Sequence, residues 1–189
     1  MQCKGDDAVS DETVIRYCAP TLAAIKTGSL FACVEETEQA LHESVLSLNR
    51  RLCGKGLCIL ALHWREVSRL MYVYRPRKLA CDLKQPRAQA ILRGCGYPCG
   101  QVNDCLRLLA GRLRTQEEFP HEIGLFLGYP PEDVEGFMKG SHAKCVGCWK
   151  VYGDAERAQR LFARYARCTS VYLRQYAQGV SIERLTVRS

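Results

Sequence analysis

Residues 57–75 constrain the fold more than any other stretch. Leu57–His63 is an apolar run of strand length. Arg69–Arg75 alternates, with Leu70, Tyr72 and Tyr74 on one side and Met71 and Val73 on the other. Such alternation is the period of a strand. Only the link Trp64–Ser68 separates the two runs. A link this short brings the chain back beside itself, so the runs predict an antiparallel pair. A second β-hairpin is expected from Thr21–Ile25 and Leu30–Cys33, which flank Lys26-Thr27-Gly28-Ser29. Cys145–Tyr152 reads as one further strand.

The rest of the chain reads as helix. Glu12–Cys18 is a short one, stopped by Pro20. Glu35–Leu52 is amphipathic, because Leu41, Val45, Leu48 and Leu52 recur at helical spacing. Glu35, Glu36 and Glu38 open it and Arg50 and Arg51 close it, as the helix dipole favours. Pro86 starts a helix that Gly94 ends. Asn103–Leu113 turns Leu106, Leu109 and Leu113 inward. His121–Leu127 and Glu132–Met138 are short helices behind Pro120 and Pro131. Asp154 caps a long helix to about Gln178, with Leu161, Tyr165, Cys168, Tyr172 and Tyr176 as its buried side. The order is mixed rather than strictly alternating. It predicts an α+β fold: a small, mostly antiparallel sheet packed against several helices, with a long C-terminal helix. Residues 1–12 are expected to be a flexible N-terminal tail, and 13–189 a single domain.

The first residues contain no apolar core of a signal peptide, and the longest apolar run, Leu57–Leu62, is too short to span a bilayer. The expectation is a cytoplasmic protein with no membrane partner. In that compartment the 12 cysteines serve packing, metal ligation or redox chemistry rather than disulfides. Cys18, Cys33, Cys53, Cys58, Cys81, Cys105 and Cys168 have apolar neighbours and read as core. Charge is unevenly spread. Residues 50–93 carry 11 basic and 2 acidic groups, and residues 139–189 carry 10 and 3. Two such blocks could form one surface for an anionic partner, or two solvated faces.

Four arrangements carry possible chemistry. His142, Cys145 and Cys148 have ligand spacing for zinc or iron, and Cys95 and Cys99 could complete the set. Against this, a single strand would point Cys145 and Cys148 to opposite faces. The same pair runs into a strand rather than a helix N-terminus, which argues against a thioredoxin-like dithiol. A cysteine nucleophile needs a base, and Cys18 with His121 is the candidate pair. Phe119–Met138 has the outline of a helix-turn-helix. Its second helix carries Glu132, Asp133 and Glu135, which would repel phosphate, so a packed corner is the better account. In the C-terminal helix Arg157, Arg160, Arg164, Arg167 and Arg174 share one face. That stripe suits RNA or an acidic partner, or is simply solvated.

Four segments carry a family resemblance: Cys18–Phe31, Tyr72–Leu79, Phe119–Val134 and Trp149–Asp154. Together they resemble the bacterial domain-of-unknown-function family 3793, over roughly residues 14–187. The resemblance implies an origin chiefly among Firmicutes and an accessory role near iron or redox metabolism. It also implies that the position of Cys148 is usually aromatic, which would make the Cys145/Cys148 pair particular to this chain. The matching segments hold polar residues that packing alone does not require: Lys26, Tyr74, Arg75, His121, Glu122, Lys150 and Tyr152. The leading expectation is therefore an accessory or binding protein. Its small anionic-ligand pocket would use Lys26, Tyr74, Arg75, Lys150 and Tyr152, with His121 and Glu122 at a helix start. The alternatives are a thiol- or metal-dependent enzyme and a binder of RNA or an acidic partner, with nucleic acid the less expected partner.

Overall fold

A computed structural model describes residues 9–33, 37–64, 68–98 and 100–188. The elements run α1 (Asp11–Leu22), β1 (Gly28–Cys33), α2 (Glu38–Leu52), β2 (Cys58–Trp64), β3 (Ser68–Tyr74), α3 (Pro76–Leu83), α4 (Pro86–Gly94) and α5 (Val102–Thr115). They continue with α6 (Ile123–Phe126), α7 (Pro131–Met138), β4 (Cys145–Val146), β5 (Lys150–Val151), α8 (Ala155–Ala177) and α9 (Ile182–Leu185). The fold is α+β, as expected. No described helix is long and apolar enough to cross a membrane.

β3 is the middle strand of an antiparallel sheet ordered β1-β3-β2, with Leu30 and Leu60 both opposite Tyr72. The alternation in β3 serves two cores. Leu62, Leu70, Tyr72 and Tyr74 meet Leu79, Leu83, Leu109, Leu113 and Phe126 on one face. Ile59, Met71, Val73 and Phe31 meet Val14, Ile15, Cys18 and Leu22 of α1 and Leu41, Leu48 and Leu52 of α2 on the other. Burying each such side chain contributes roughly 1.5–3 kcal/mol before the cost of ordering it. Edge strand β2 is pinned to α2 by Asn49, whose amide donates to the Ile59 carbonyl (2.8 Å) and accepts from the Ile59 N–H (2.9 Å).

Several expectations are corrected. The hairpin at Thr21–Ile25 does not form. α1 continues through Pro20 to Leu22, because Pro20 still offers its carbonyl, which accepts from Ile25 and Lys26 N–H (both 3.0 Å). The chain then turns at Ala24, in the left-handed region (φ 58°), and β1 pairs with β3 instead. α1 begins at Asp11, inside the segment read as a tail. α2 begins at Glu38, capped by Thr37 (its hydroxyl accepts from Ala40 N–H, 3.1 Å); Glu35 and Glu36 lie outside the described residues. α3, with Pro76 at its first turn, was not expected. Cys145–Tyr152 is a tight hairpin rather than one strand, closed by Gly147 N–H to the Trp149 carbonyl (3.0 Å). Cys145 and Cys148 are therefore not held on opposite faces of one continuous strand. Cys53 and Cys81 are exposed and belong to no core. On α8 only Ala158 and Tyr165 are buried; Leu161, Cys168, Tyr172 and Tyr176 are half-buried.

Candidate functional site

The corner between α6, α7 and the β4–β5 hairpin is held by one carboxylate. Asp133 lies in the first turn of α7 and is 3% exposed. It accepts from the Trp149 indole N–H, the Tyr152 N–H and the Gly153 N–H, each at 2.7 Å. Absent side chains permit the approach. A Cβ on Gly136 would meet the Tyr152 ring at 2.5 Å, and one on Gly147 would meet Phe162 at 2.2 Å. Trp149 is thus fixed, stacked on Tyr129 (centroids 4.6 Å, 26°) and met edge-on by Phe162 (4.6 Å, 83°).

This packing leaves a cleft of about 270 Å³. Its walls are Phe119, Leu127, Tyr129, Val134, Phe137 and Trp149, and its polar members include His121, Cys148 and Lys150. His121 lies edge-on to Phe137 (4.7 Å, 76°), and Lys150 Nζ is 5.3 Å from the same ring. Of the seven polar residues singled out above, His121 and Lys150 line this cleft. Lys26 is adjacent, with Nζ 5.6 Å from the Tyr129 centroid and 6.0 Å from that of Tyr165. Burial lowers the Lys26 pKa, opposed by the nearby Cys18 and Cys148 thiols. Packing raises the Cys148 thiol above its ordinary value, with Lys26 working against it.

The other candidates sit elsewhere. Arg75 is 1% exposed and donates to carbonyls: Thr21 (2.7 Å), Leu22 (2.7 Å), Lys55 (3.3 Å) and Val187 (2.8 Å). It fastens the end of α1 and does not enter the cleft. Tyr74 stacks on Tyr72 (4.7 Å, 4°) in the sheet core, where burial raises its phenol. Glu122 is buried, accepting from the Tyr97 hydroxyl (2.9 Å) and from Arg112 (2.8 Å). Tyr152 is packed against Gly136.

Cys18 and His121 do not meet. Cys18 is wholly buried on the Met71/Val73 face of the sheet, while the Tyr72 hydroxyl on the opposite face donates to the Phe126 carbonyl of α6 (2.6 Å). Burial pushes the Cys18 thiol up to about 12, so its thiolate is scarce at neutral pH. Cys99 lies outside the described residues. Among those described, no three His, Cys, Asp or Glu side chains gather as a metal-ligand set. Cys95 packs near Arg112 and Glu122, Cys145 and Cys148 belong to the hairpin, and His142 is exposed. The helix-turn-helix outline is a packed corner: all of α6 is buried, and Arg87 of α4 pairs with Glu135 of α7 (2.7 Å).

Asp133, Tyr129 and Phe137 escaped the sequence reading. Two prolines followed by an acid in a first helical turn, with a distant tryptophan needing an acceptor, were the available signal. Neither the curated proteins nor the solved structures contain a match to this chain. A family model does match, that of a protein of unknown function (DUF3793), over residues 14–186. The match covers nearly the whole chain, which therefore belongs to the DUF3793 family.

Proposed function

We propose that the protein is a binding module whose α6–α7/hairpin cleft takes a small, mostly apolar molecule carrying one negative charge. One observation carries the reading: an aromatic-walled cleft of about 270 Å³ in which His121 and Lys150 flank the same ring, Phe137. Ligand sites are commonly concave and apolar, with a few placed polar groups that fix orientation. Here Phe119, Tyr129 and Trp149 supply flat surface, Lys150 the positive charge and His121 a hydrogen-bonding edge. The clamp at Asp133 preorganises Trp149, so little rotamer freedom is lost on binding. Lys26, held against the outer face of Tyr129, adds a further positive charge nearby. The pocket is narrower than the sequence suggested, because Arg75 and Tyr74 serve the core.

The test is a titration with 1-anilinonaphthalene-8-sulfonate, an aromatic monoanion. Trp149 fluorescence is followed in a Trp64→Phe background. Saturable quenching at one site is expected. Phe137→Ala should weaken binding about tenfold by removing the shared wall. Lys150→Gln should weaken the sulfonate probe several-fold while leaving its neutral analogue N-phenyl-1-naphthylamine unchanged. Equal binding of the sulfonate by wild type and both variants would place the ligand elsewhere and end the proposal.

A further inference from the structure

α8 is 23 residues long, yet only Ala158 and Tyr165 on it are buried. Its half-buried side rests on α1 and α9, with Tyr172, Leu173 and Tyr176 joining the core beneath. At 3.6 residues per turn, Arg157, Arg160, Arg164, Arg167 and Arg174 fall within an arc of about 100° on the opposite side. All five are exposed. No Asp or Glu occurs from Arg157 to Ile182. Among the described residues Arg160 pairs with Glu156, and the other four meet no carboxylate. The stripe runs about 26 Å along the helix axis.

We infer that this face of α8 is a contact surface for the phosphodiester backbone of a nucleic acid. An uncompensated row of guanidinium groups is a polyanion site in charge. Arginine adds a planar donor fork that matches phosphate oxygens two at a time. The rest of the face decides between polyanions. Between the arginines stand Gln159, Ala163, Ala166 and Ser170, and the one large apolar residue is Val171, 36% exposed. A protein interface needs an apolar or aromatic centre to exclude water. A membrane-surface helix needs Trp, Phe or Leu facing out. This stripe has neither. The guanidiniums outnumber the amides beside them, Gln159 and Gln175, so the contact is chiefly to the backbone and largely independent of sequence.

The experiment is fluorescence anisotropy with a labelled RNA or DNA oligonucleotide of about twenty nucleotides, single-stranded and duplex, between about 50 and 200 mM salt. Four uncompensated arginines predict a slope of log K against log salt near about −3 for a single strand and about −4 for a duplex. Affinity should then fall about a hundredfold across that range. Replacing Arg157, Arg164, Arg167 and Arg174 together by Gln should abolish binding and leave the circular dichroism unchanged. These side chains lie outside the aromatic cleft, so sulfonate-probe binding reports separately on that site. Three results would overturn the inference: no oligonucleotide binding at the lowest salt, unchanged binding by the quadruple variant, or equal competition by polyglutamate at matched charge. The last would mark an acidic-protein surface instead. Binding of RNA but not DNA, or the reverse, supports the inference and identifies the source of the phosphates.

Discussion

In residues 50–93 three arginines, Arg51, Arg75 and Arg87, turn inward or find carboxylates; along α8 the arginines face water. Arg51 bridges Asp11 and Glu183 (both 2.5 Å), tying α2 to α1 and α9. Arg75 is buried among backbone carbonyls. Lys78 donates to the Ala24 carbonyl (3.3 Å), and Arg87 joins α4 to α7. In α8 only Arg160 is paired among the described residues. By count the two blocks are nearly equal in positive charge. The fold uses Arg51, Arg75, Lys78 and Arg87 of the first as internal fasteners, while the α8 arginines of the second face solvent. Summed charge along a sequence therefore overstates the electrostatic field of one block and describes the other well.

The comparison can be broken most directly at Arg75. Arg75→Met should destabilise the fold by about 3–5 kcal/mol, since it strands buried carbonyls that the guanidinium now satisfies. Urea denaturation measures this, and a loss below 1 kcal/mol would mean that water replaces the guanidinium at little cost. Next in size is Asp133→Ala, a buried acid outside both basic blocks. Losing three hydrogen bonds should cost about 3 kcal/mol and shift Trp149 emission as the hairpin loosens. An unchanged emission maximum would show that packing alone holds the indole.

Arg51 tests the intermediate case. Its hydrogen bond holds the Glu183 carboxyl at about 2, well below the ordinary carboxylate range. A lowered folded-state pKa adds stability above about 4.5 that is lost as pH falls toward about 2. Both side chains are 35% exposed, so screening limits the contribution to about 1 kcal/mol or less. Stability measured from pH 5 to 2 should fall less in Arg51→Ala than in wild type; parallel curves would remove the ion pair from the account. The smallest effect is expected at α8. There the fourfold arginine-to-glutamine variant should stay within about 0.5 kcal/mol of wild type. A larger loss would make these arginines structural, like those of the first block.

The β2–β3 pair was legible because a short link and strict alternation leave few pairings open, whereas the partner of β1 was not, because β3 lies some 40 residues further along the chain. The helices behind Pro86 and Pro131, and the one capped by Asp154, were legible because their ends carry conformational signals. Pro76 gives the same signal as Pro86, so α3 was there to be read. Pro20 misled because proline near a helix end removes a donor but keeps its acceptor. The hairpin at Gly147 was hidden inside an apolar run. At the site, His121 and Lys150 stood out as polar residues without a packing role. Arg75 stood out equally, and nothing in a sequence shows that an arginine's acceptors are main-chain carbonyls. Asp133 was read only as a charge on a helix, because its partners lie 16 to 20 residues away.

The bond from Arg75 to the Val187 carbonyl has a consequence for how the chain is made. The two residues are 112 positions apart, and Val187 N–H in turn donates to the Leu22 carbonyl (3.0 Å). During synthesis the strands and α1 emerge long before Val187. Until it arrives, the guanidinium at the centre of the sheet's edge lacks one acceptor and the end of α1 lacks one donor. The early half can collapse around its two cores, but it stays unlatched. Emergence of Val187 then supplies the latch, so a nascent chain stalled short of it would be more exposed to proteases than one that has passed it.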